Sequence, residues 1–177
     1  MWKRLLLLAV IGFGFYTWWT DRPVAHVPGV VAPVAPVQED LGGASPFVYK
    51  DYTVTPLARF ALEARVLGKE AYRLDREANL APVDLALGWG RMSDAAVLGR
   101  LSIGQSGRSY HWRAEEFPIP RSEIETSSAN MHIIPADAAV AKRLQDIRKG
   151  SVVRIRGYLV RVDAKDGWHW KSSLTRN

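Results

Sequence analysis

Three histidines in the second half of the chain are the side chains best suited to acid–base or metal chemistry: His111, His132 and His169. None belongs to a metal-binding motif such as H-E-x-x-H, and the chain has no cysteine to complete a zinc–thiolate site. Two interpretations stay open. The histidines either meet in space in a hydrolase or metal-binding enzyme, or they are separate structural residues. Their spacing favours the second, so we expect no metal and no cofactor.

A serine in a glycine-rich stretch is the other candidate for catalysis. Residues 104–108 read GQSGR and resemble the nucleophile elbow G-x-S-x-G, except that arginine takes the last position. The elbow requires a strand-to-helix turn in a large α/β sheet, whereas this chain is short and rich in strand patterns. We therefore interpret the stretch as a turn between strands and favour a protein that is not an enzyme.

Polar, basic and aromatic side chains favour binding over catalysis. Residues 127–132 are polar and precede a helix, so we expect a loop that either crosses a barrel mouth or binds a ligand. Tryptophans near arginines are typical of grooves for single strands or sugars, although in small barrels they more often form the core. The candidate binding residues are Arg108, His111, Ser128, Asn130, His132, Arg154, Arg156, Trp168 and Trp170.

Four motifs within residues 50–177 connect the chain to a family. Residues 88–94 read GWGRMSD, residues 105–108 QSGR, residues 128–136 SANMHIIPA and residues 167–174 GWHWKSSL. With these motifs the chain resembles a family without known activity, made of short membrane-anchored bacterial proteins found mostly in proteobacteria. The resemblance implies a membrane anchor, but it assigns no catalytic or binding role to any residue.

The N-terminus has the composition of a membrane anchor. Residues 5–19 carry no charge, and a helix over residues 1–20 would be about 30 Å long, close to the hydrocarbon thickness of a bilayer. Lys3 and Arg4 would lie at the cytoplasmic interface, and Trp18 and Trp19 at the other. We predict that residues 1–21 are a single-pass anchor in a bacterial inner membrane, with the remainder in the periplasm. A cleaved signal peptide is the alternative, but residues 17–21 make a poor cleavage site.

Residues 22–46 are rich in Pro, Ala and Val, and we expect them to form an extended linker that holds the domain off the membrane. Their five prolines lack the backbone donors of helix and sheet and favour polyproline-like structure.

The end of the chain is strongly basic. Residues 142–177 hold ten Lys or Arg and three Asp, a net charge of +7, against +6 for the whole chain. This charge suits anionic lipid, nucleic acid or an acidic partner, with a solvated face as the alternative. For an exported domain we expect a cell-envelope protein or an anionic glycan as partner. The exported location disfavours nucleic acid.

Residues 47–177 are expected to form a mainly β domain with one clear helix. Residues 60–66 alternate between apolar and polar, and further strand patterns cover residues 83–87, 108–114 and 152–163, with a hairpin at residues 166–167. The helix spans residues 137–149, with Asp137 as N-cap and Val140, Leu144 and Ile147 on one face.

The order of these patterns is three strands, a helix and two strands, which is typical of a small OB-like barrel with one capping helix. Another mixed β-barrel or an α+β domain is the alternative. In residues 152–163 the apolar positions shift by one after Gly157. We therefore predict a bulge or a bend at Gly157 that restores a single inward face.

Overall fold

A computed structural model describes residues 2–20, 22–74 and 76–175, and within its first helix it describes the side chains of residues 2, 5–12 and 14. The fold is mainly β, as predicted: one seven-stranded sheet curls into a half-barrel, and a two-stranded sheet packs against it. The strands are β1 (Val37–Asp40), β2 (Phe47–Tyr49), β3 (Tyr52–Ala71), β4 (Val83–Gly88), β5 (Ser102–Ser106), β6 (Ser109–Arg113), β7 (Ser128–Ile133), β8 (Val152–Ala164) and β9 (His169–Lys171). The helices are α1 (Trp2–Thr20), α2 (Ala95–Leu98), α3 (Arg121–Thr126) and α4 (Ala138–Asp146).

The long strand β3 organises the large sheet. One edge of β3 pairs with the whole length of β8. The other edge of β3 pairs with β2, β1 and β4 in turn. The sheet order is β7-β4-β3-β8-β9, so β7 and β9 are its two ends. The alternation predicted for residues 60–66 is confirmed, because Leu62, Ala64 and Val66 are buried in the main core. Arg65, on the opposite face, is also buried, and its Nη1 donates to the carbonyl of Ser93 at 3.1 Å.

The bulge predicted at Gly157 is wrong. β8 runs through this residue without a shift in register, and the irregularity lies in β3, at residues 56–58. Partners in an antiparallel ladder point to the same face of the sheet, so the apolar residues of β8 occupy two opposite faces. Val153 and Ile155 pack on one core cluster, and Val160 and Val162 belong to another. The apolar positions shift by one in the sequence because β8 buries one face in its first half and the opposite face in its second half.

The predicted helix is confirmed as α4, although it ends at Asp146 rather than near Lys149. The carboxylate of Asp137 caps it by accepting from the backbone N–H of Val140 at 2.8 Å. Leu144 is buried against the main core, which is worth about 2 kcal/mol for a side chain of this size. Val140 and Ile147 pack beside it, as the periodicity predicts.

Residues 127–132 do not form the predicted loop. Residues 128–133 are β7, which pairs antiparallel with β4, the strand that is buried at every position. Met131 and Ile133 contact the main core, whereas Asn130 and His132 point to the opposite face. Residues 128–133 alternate between polar and apolar, which is a strand signal that the loop prediction missed.

Much of the predicted linker lies on the domain. Residues 37–40 are β1, and residues 24–32, which we call the N-terminal strap, run along the surface of the domain. The backbone N–H of Val24 donates to Lys149 O at 2.8 Å, and the N–H of Gly90 donates to Ala32 O at 2.8 Å. Ala32 is fully buried. An extended stalk is therefore wrong for residues 24–40, because residues between the prolines find hydrogen-bond partners on the domain.

The N-terminal stretch is helical, as predicted, and the described large apolar side chains of α1 are exposed. Among the described residues, no helix combines the length and the mean hydropathy of a membrane-crossing segment. The side chains of Lys3, Arg4, Trp18 and Trp19, like residue 21, lie outside the described part of the chain.

Candidate functional site

The nine predicted binding residues are divided among several places in the fold. Four of them lie where the hairpin β5–β6 meets the strands β4 and β7, one touches this group from β9, and two lie on an exposed face of β8. The first group is Arg108, Ser128, Asn130 and His132, joined by Trp170, and the β8 residues are Arg154 and Arg156. His111 and Trp168 lie apart from both groups.

Arg108 clamps the hairpin β5–β6 onto the sheet. It follows Gly107 in a two-residue turn, and both residues have positive φ angles, 54° and 60°, as a type I′ hairpin turn requires. This backbone directs the guanidinium toward the large sheet. There Nη1 contacts Asp84 Oδ1 at 3.2 Å and Nε contacts Glu77 Oε2 at 3.0 Å. The guanidinium also stacks on the Tyr72 ring, 4.0 Å from its centroid.

Further hydrogen bonds fasten the same hairpin. The Tyr72 hydroxyl accepts from the backbone N–H of Arg108 at 3.0 Å, and burial raises the pKa of this phenol. Asn130 Nδ2 donates to the carbonyl of Arg108 at 3.1 Å, and Asn130 Oδ1 accepts from Gln105 Nε2 at 2.9 Å. Arg108 and Asn130 are thus bound within the protein, which leaves them few atoms for a ligand.

Asp84 and His132 form a buried polar pair below the hairpin. Asp84 is fully buried, and its Oδ1 lies 2.8 Å from His132 Nδ1. The direction of the ring N–H does not match a hydrogen bond, and within the described part of the chain both Asp84 Oδ2 and His132 Nδ1 lack hydrogen-bond partners. The ring of Trp170 meets His132 edge-on at 5.7 Å and so connects β9 to β7, the two ends of the sheet.

Among the described residues, neither Asp84 nor His132 forms a hydrogen bond or ion pair with a serine, threonine or cysteine side chain. Ser128, on the same strand as His132, donates its hydroxyl to Ile124 O at 2.6 Å and accepts from Tyr110 at 3.3 Å. Residues 104–106 belong to β5 and are followed by a turn and another strand, so the GQSGR stretch is a hairpin rather than an elbow. The arrangement is that of a buried polar network and not of a catalytic triad.

The three histidines occupy different elements. His111 is exposed on β6, where its ring covers Gly104 of the neighbouring strand, and His169 is exposed on β9. Residues 2–20, 22–74 and 76–175 contain no group of three His, Cys, Asp or Glu side chains arranged to hold a metal ion.

The four tryptophans of residues 47–177 pack on core clusters, which supports the core interpretation over the aromatic groove. Trp168 meets Tyr52 edge-on at 5.9 Å, and the guanidinium of Arg76 lies 5.2 Å from the Trp168 centroid. Trp168 and Trp170 both pack on the cluster around Val162.

The exposed face of β1, β3 and β8 carries several basic side chains, among them Arg59, Arg154 and Arg156. A shallow cavity of about 420 Å³ lies there, which we call the β1–β3–β8 groove. Its lining residues are Val37, Glu39, Arg59, Phe60, Ala61, Arg156, Gly157 and Tyr158. Tyr158 is 53% exposed and Val37 is 62% exposed, so an aromatic and an aliphatic side chain both face solvent at this groove.

The arginines of this face differ in their pairing. Arg154 is engaged by Glu63, with Nε and Nη2 at 3.0 and 2.5 Å from Oε2. Arg59 and Arg156 are exposed and form no ion pair with any described residue. In the ladder Arg59 stands opposite Tyr158, and Arg156 stands opposite Ala61, so the two arginines are diagonal neighbours about 7–8 Å apart across the ladder.

Sequence reasoning found Arg156 but missed the other groove residues. The alternation of β3 places Arg59 and Ala61 on the face opposite Phe60, which is a signal the sequence contains. Glu39 joins them only through the pairing of β1 with β3, which no local pattern predicts.

Comparison with the models of known protein families, with curated proteins and with solved structures gives no match to this chain. The function must therefore be argued from the groove and the clusters themselves.

Proposed function

We propose that the chain is a non-catalytic binding module, tethered to a bacterial inner membrane and facing the periplasm, whose β1–β3–β8 groove binds an anionic glycan. One observation carries the proposal: Arg59 and Arg156 are diagonal neighbours next to an exposed tyrosine, and neither forms an ion pair with a described residue. Like charges at this separation repel, and an anionic group between them relieves that repulsion.

The groove fits a sugar carboxylate or phosphate because of what surrounds the arginines. Two guanidinium groups supply planar donors in fixed directions, which suit carboxylate and phosphate oxygens. Tyr158 offers an aromatic face on which a sugar ring can stack. Glu39 lies opposite Arg59 and reduces the positive charge of the groove, so the ligand is held by specific contacts rather than by a large field.

The topology supports a binding module of the OB-like class. The strands β3, β4, β7, β8 and β9 and the helix α4 follow one another in the order expected for such a barrel. OB-folds often bind ligands on the face of their second and third strands, which correspond here to β4 and β7. The hairpin β5–β6 covers one side of these strands and α4 packs on the other side, which leaves the β1–β3–β8 groove as the open surface.

The tether is supported by the N-terminal helix and by the family resemblance of the four motifs. Leu5 to Leu8, Val10 and Ile11 are all exposed, and a continuous apolar surface of this kind needs an apolar partner. A bilayer is the partner that the uncharged stretch and the flanking Lys3 and Arg4 predict.

The test is calorimetric titration of the detergent-solubilised full chain with polygalacturonate, and with neutral dextran as reference. Arg59→Gln and Arg156→Gln should each weaken polygalacturonate binding about tenfold or more, since a charge-assisted hydrogen bond contributes about 1.5–3 kcal/mol. Glu39→Gln should strengthen it, because it removes a repelling carboxylate.

The matched control is Arg161→Gln. Arg161 is exposed on the same strand, β8, but it is already paired with Asp163 at 2.8 Å. Unchanged binding in this control, with loss in the two groove variants, supports the proposal. Equal weakening in all three variants would reduce the effect to net charge and overturn it. Binding of poly-glutamate but not of polygalacturonate would replace the glycan by an acidic protein partner.

A further inference from the structure

The N-terminal strap is fixed to the domain at Gly150. Val24 N donates to the carbonyl of Lys149, and His26 Nε2 lies 2.7 Å from the carbonyl oxygen of Gly150. Gly150 has a φ of +88°, and a Cβ at this position would lie 2.1 Å from the carbonyl oxygen of Val24. Only glycine allows this approach, so the start of the strap depends on one residue.

This attachment limits the distance between α1 and the domain. Four residue steps separate Thr20, where α1 ends, from Val24, and they span at most about 14 Å. With the hydrogen bond from Val24 to Lys149, the carbonyl of Lys149 lies less than about 20 Å from the end of α1. The strap thus holds the C-terminal end of α4 close to the point where the chain leaves the helix.

That end of α4 is strongly basic. We call the exposed cations of α4 and of the segment that follows it the α4 basic surface: Lys142, Arg143, Arg148 and Lys149. Within the part of the chain that the structure describes, none of the four forms an ion pair. Asp146 is the one acid in residues 142–149, so this segment carries a net charge of +3.

We infer that the α4 basic surface contacts the anionic phospholipid headgroups of the membrane in which α1 is anchored. This inference rests on the tether of the proposed function. Attraction between basic residues and anionic lipid decays within a Debye length, about 10 Å at 0.1 M salt. A free linker of 25 residues would let the domain move beyond that range. The docked strap keeps the cations near the surface and sets which side of the domain faces the bilayer.

The chain has no cysteine, so one introduced thiol reports one position. Gln145→Cys, on the exposed side of α4, carries a fluorophore in the otherwise unchanged full chain, reconstituted into vesicles that contain headgroup-quencher lipids. Quenching should be strong in vesicles with phosphatidylglycerol and several-fold weaker in zwitterionic vesicles. It should also fall at 1 M salt, where the Debye length is about 3 Å.

Two variants separate charge from tethering. Arg148→Gln with Lys149→Gln removes two cations and should reduce quenching, whereas the matched control Lys165→Gln with Lys171→Gln, on the hairpin of β8 and β9, should not. Gly150→Ala retains every charge but displaces the strap, and it should also reduce quenching. If Gly150→Ala does not fold, Val24→Pro removes only the strap's first donor and tests the same point.

The outcomes distinguish this inference from the tether itself. If the full chain does not float with vesicles, the tether of the proposed function fails. If it floats but the label is quenched equally in both lipids, or equally in the charge variant and its control, the α4 basic surface does not contact phospholipid and the inference is overturned.

Discussion

Ser93 holds the N-terminal strap on the domain, so its substitution should destabilise the docking of the strap. This residue is fully buried, and its Oγ accepts from the backbone N–H of Val31 at 3.1 Å and from that of Ala32 at 3.0 Å. The same hydroxyl donates to the carbonyl of Gly90 at 2.7 Å. Ser93→Ala removes all three hydrogen bonds and adds no bulk.

The expected cost follows from the burial of each donor. Ala32 is inaccessible to water, so its N–H loses its only acceptor at a cost of about 1–3 kcal/mol. Val31 is half-buried and can recover part of its hydrogen bonding from solvent, which limits its loss to about 0.5–1.5 kcal/mol. The two terms together predict that Ser93→Ala weakens docking of the strap by about 1.5–4.5 kcal/mol.

Hydrogen exchange measures this loss at the amides concerned. The amides of Val31 and Ala32 should exchange about 10- to 1600-fold faster in Ser93→Ala, because each 1.4 kcal/mol is a factor of ten. Ser102→Ala, an exposed serine in β5, is the control and should leave both amides unchanged. An acceleration below threefold in Ser93→Ala would refute the assignment of Ser93 as the acceptor that holds the strap.

Two further predictions concern the clamp and the acid response. Arg108→Ala leaves the carboxylate of Asp84 buried without its cation and should lower the free energy of unfolding by about 3–5 kcal/mol in urea titrations. Arg108→Lys keeps the charge and should lower the free energy of unfolding by less. Equal losses in the two variants would argue against a role for the charge. Hydrogen bonds from the N–H groups of Gly29 and then Ala96 lower the pKa of Asp94 below its ordinary 3.8. Its stabilising contribution is therefore complete above that value and is lost as the pH falls through the lower, folded-state pKa. Asp94→Asn should show a shallower loss of stability in urea titrations below about pH 4, and an unchanged slope would contradict this.

The sequence predicted the elements whose signals are local. The N-cap of Asp137 and the spacing of Val140 and Leu144 define α4, and the Asp-Gly pair at residues 166–167 defines the hairpin between β8 and β9. The cap of α2 by Asp94, which accepts from the N–H of Ala96 at 2.8 Å, follows the same logic. Each of these features depends on residues within a few positions of one another.

Features that depend on distant partners could not be predicted. β1 exists because residues 37–40 meet the edge of β3, and the strap exists because Gly150 admits the carbonyl of Val24. The same limit applies to the candidate site. The sequence predicts Arg108 as a binding residue, but its position over Asp84 follows from the hairpin turn and makes it a clamp.

The pairing of β3 with β8 has a cost during synthesis. The salt bridge between Glu63 and Arg154 crosses this ladder, and its partners are 91 positions apart in the chain. At a translation rate of about 5–20 residues per second, the β8 edge of β3 waits about 5–20 s for its partner. During that time a long unpaired strand edge is available to other nascent chains. The yield of folded protein should therefore depend on how well the cell shields this edge before the second half of the chain emerges.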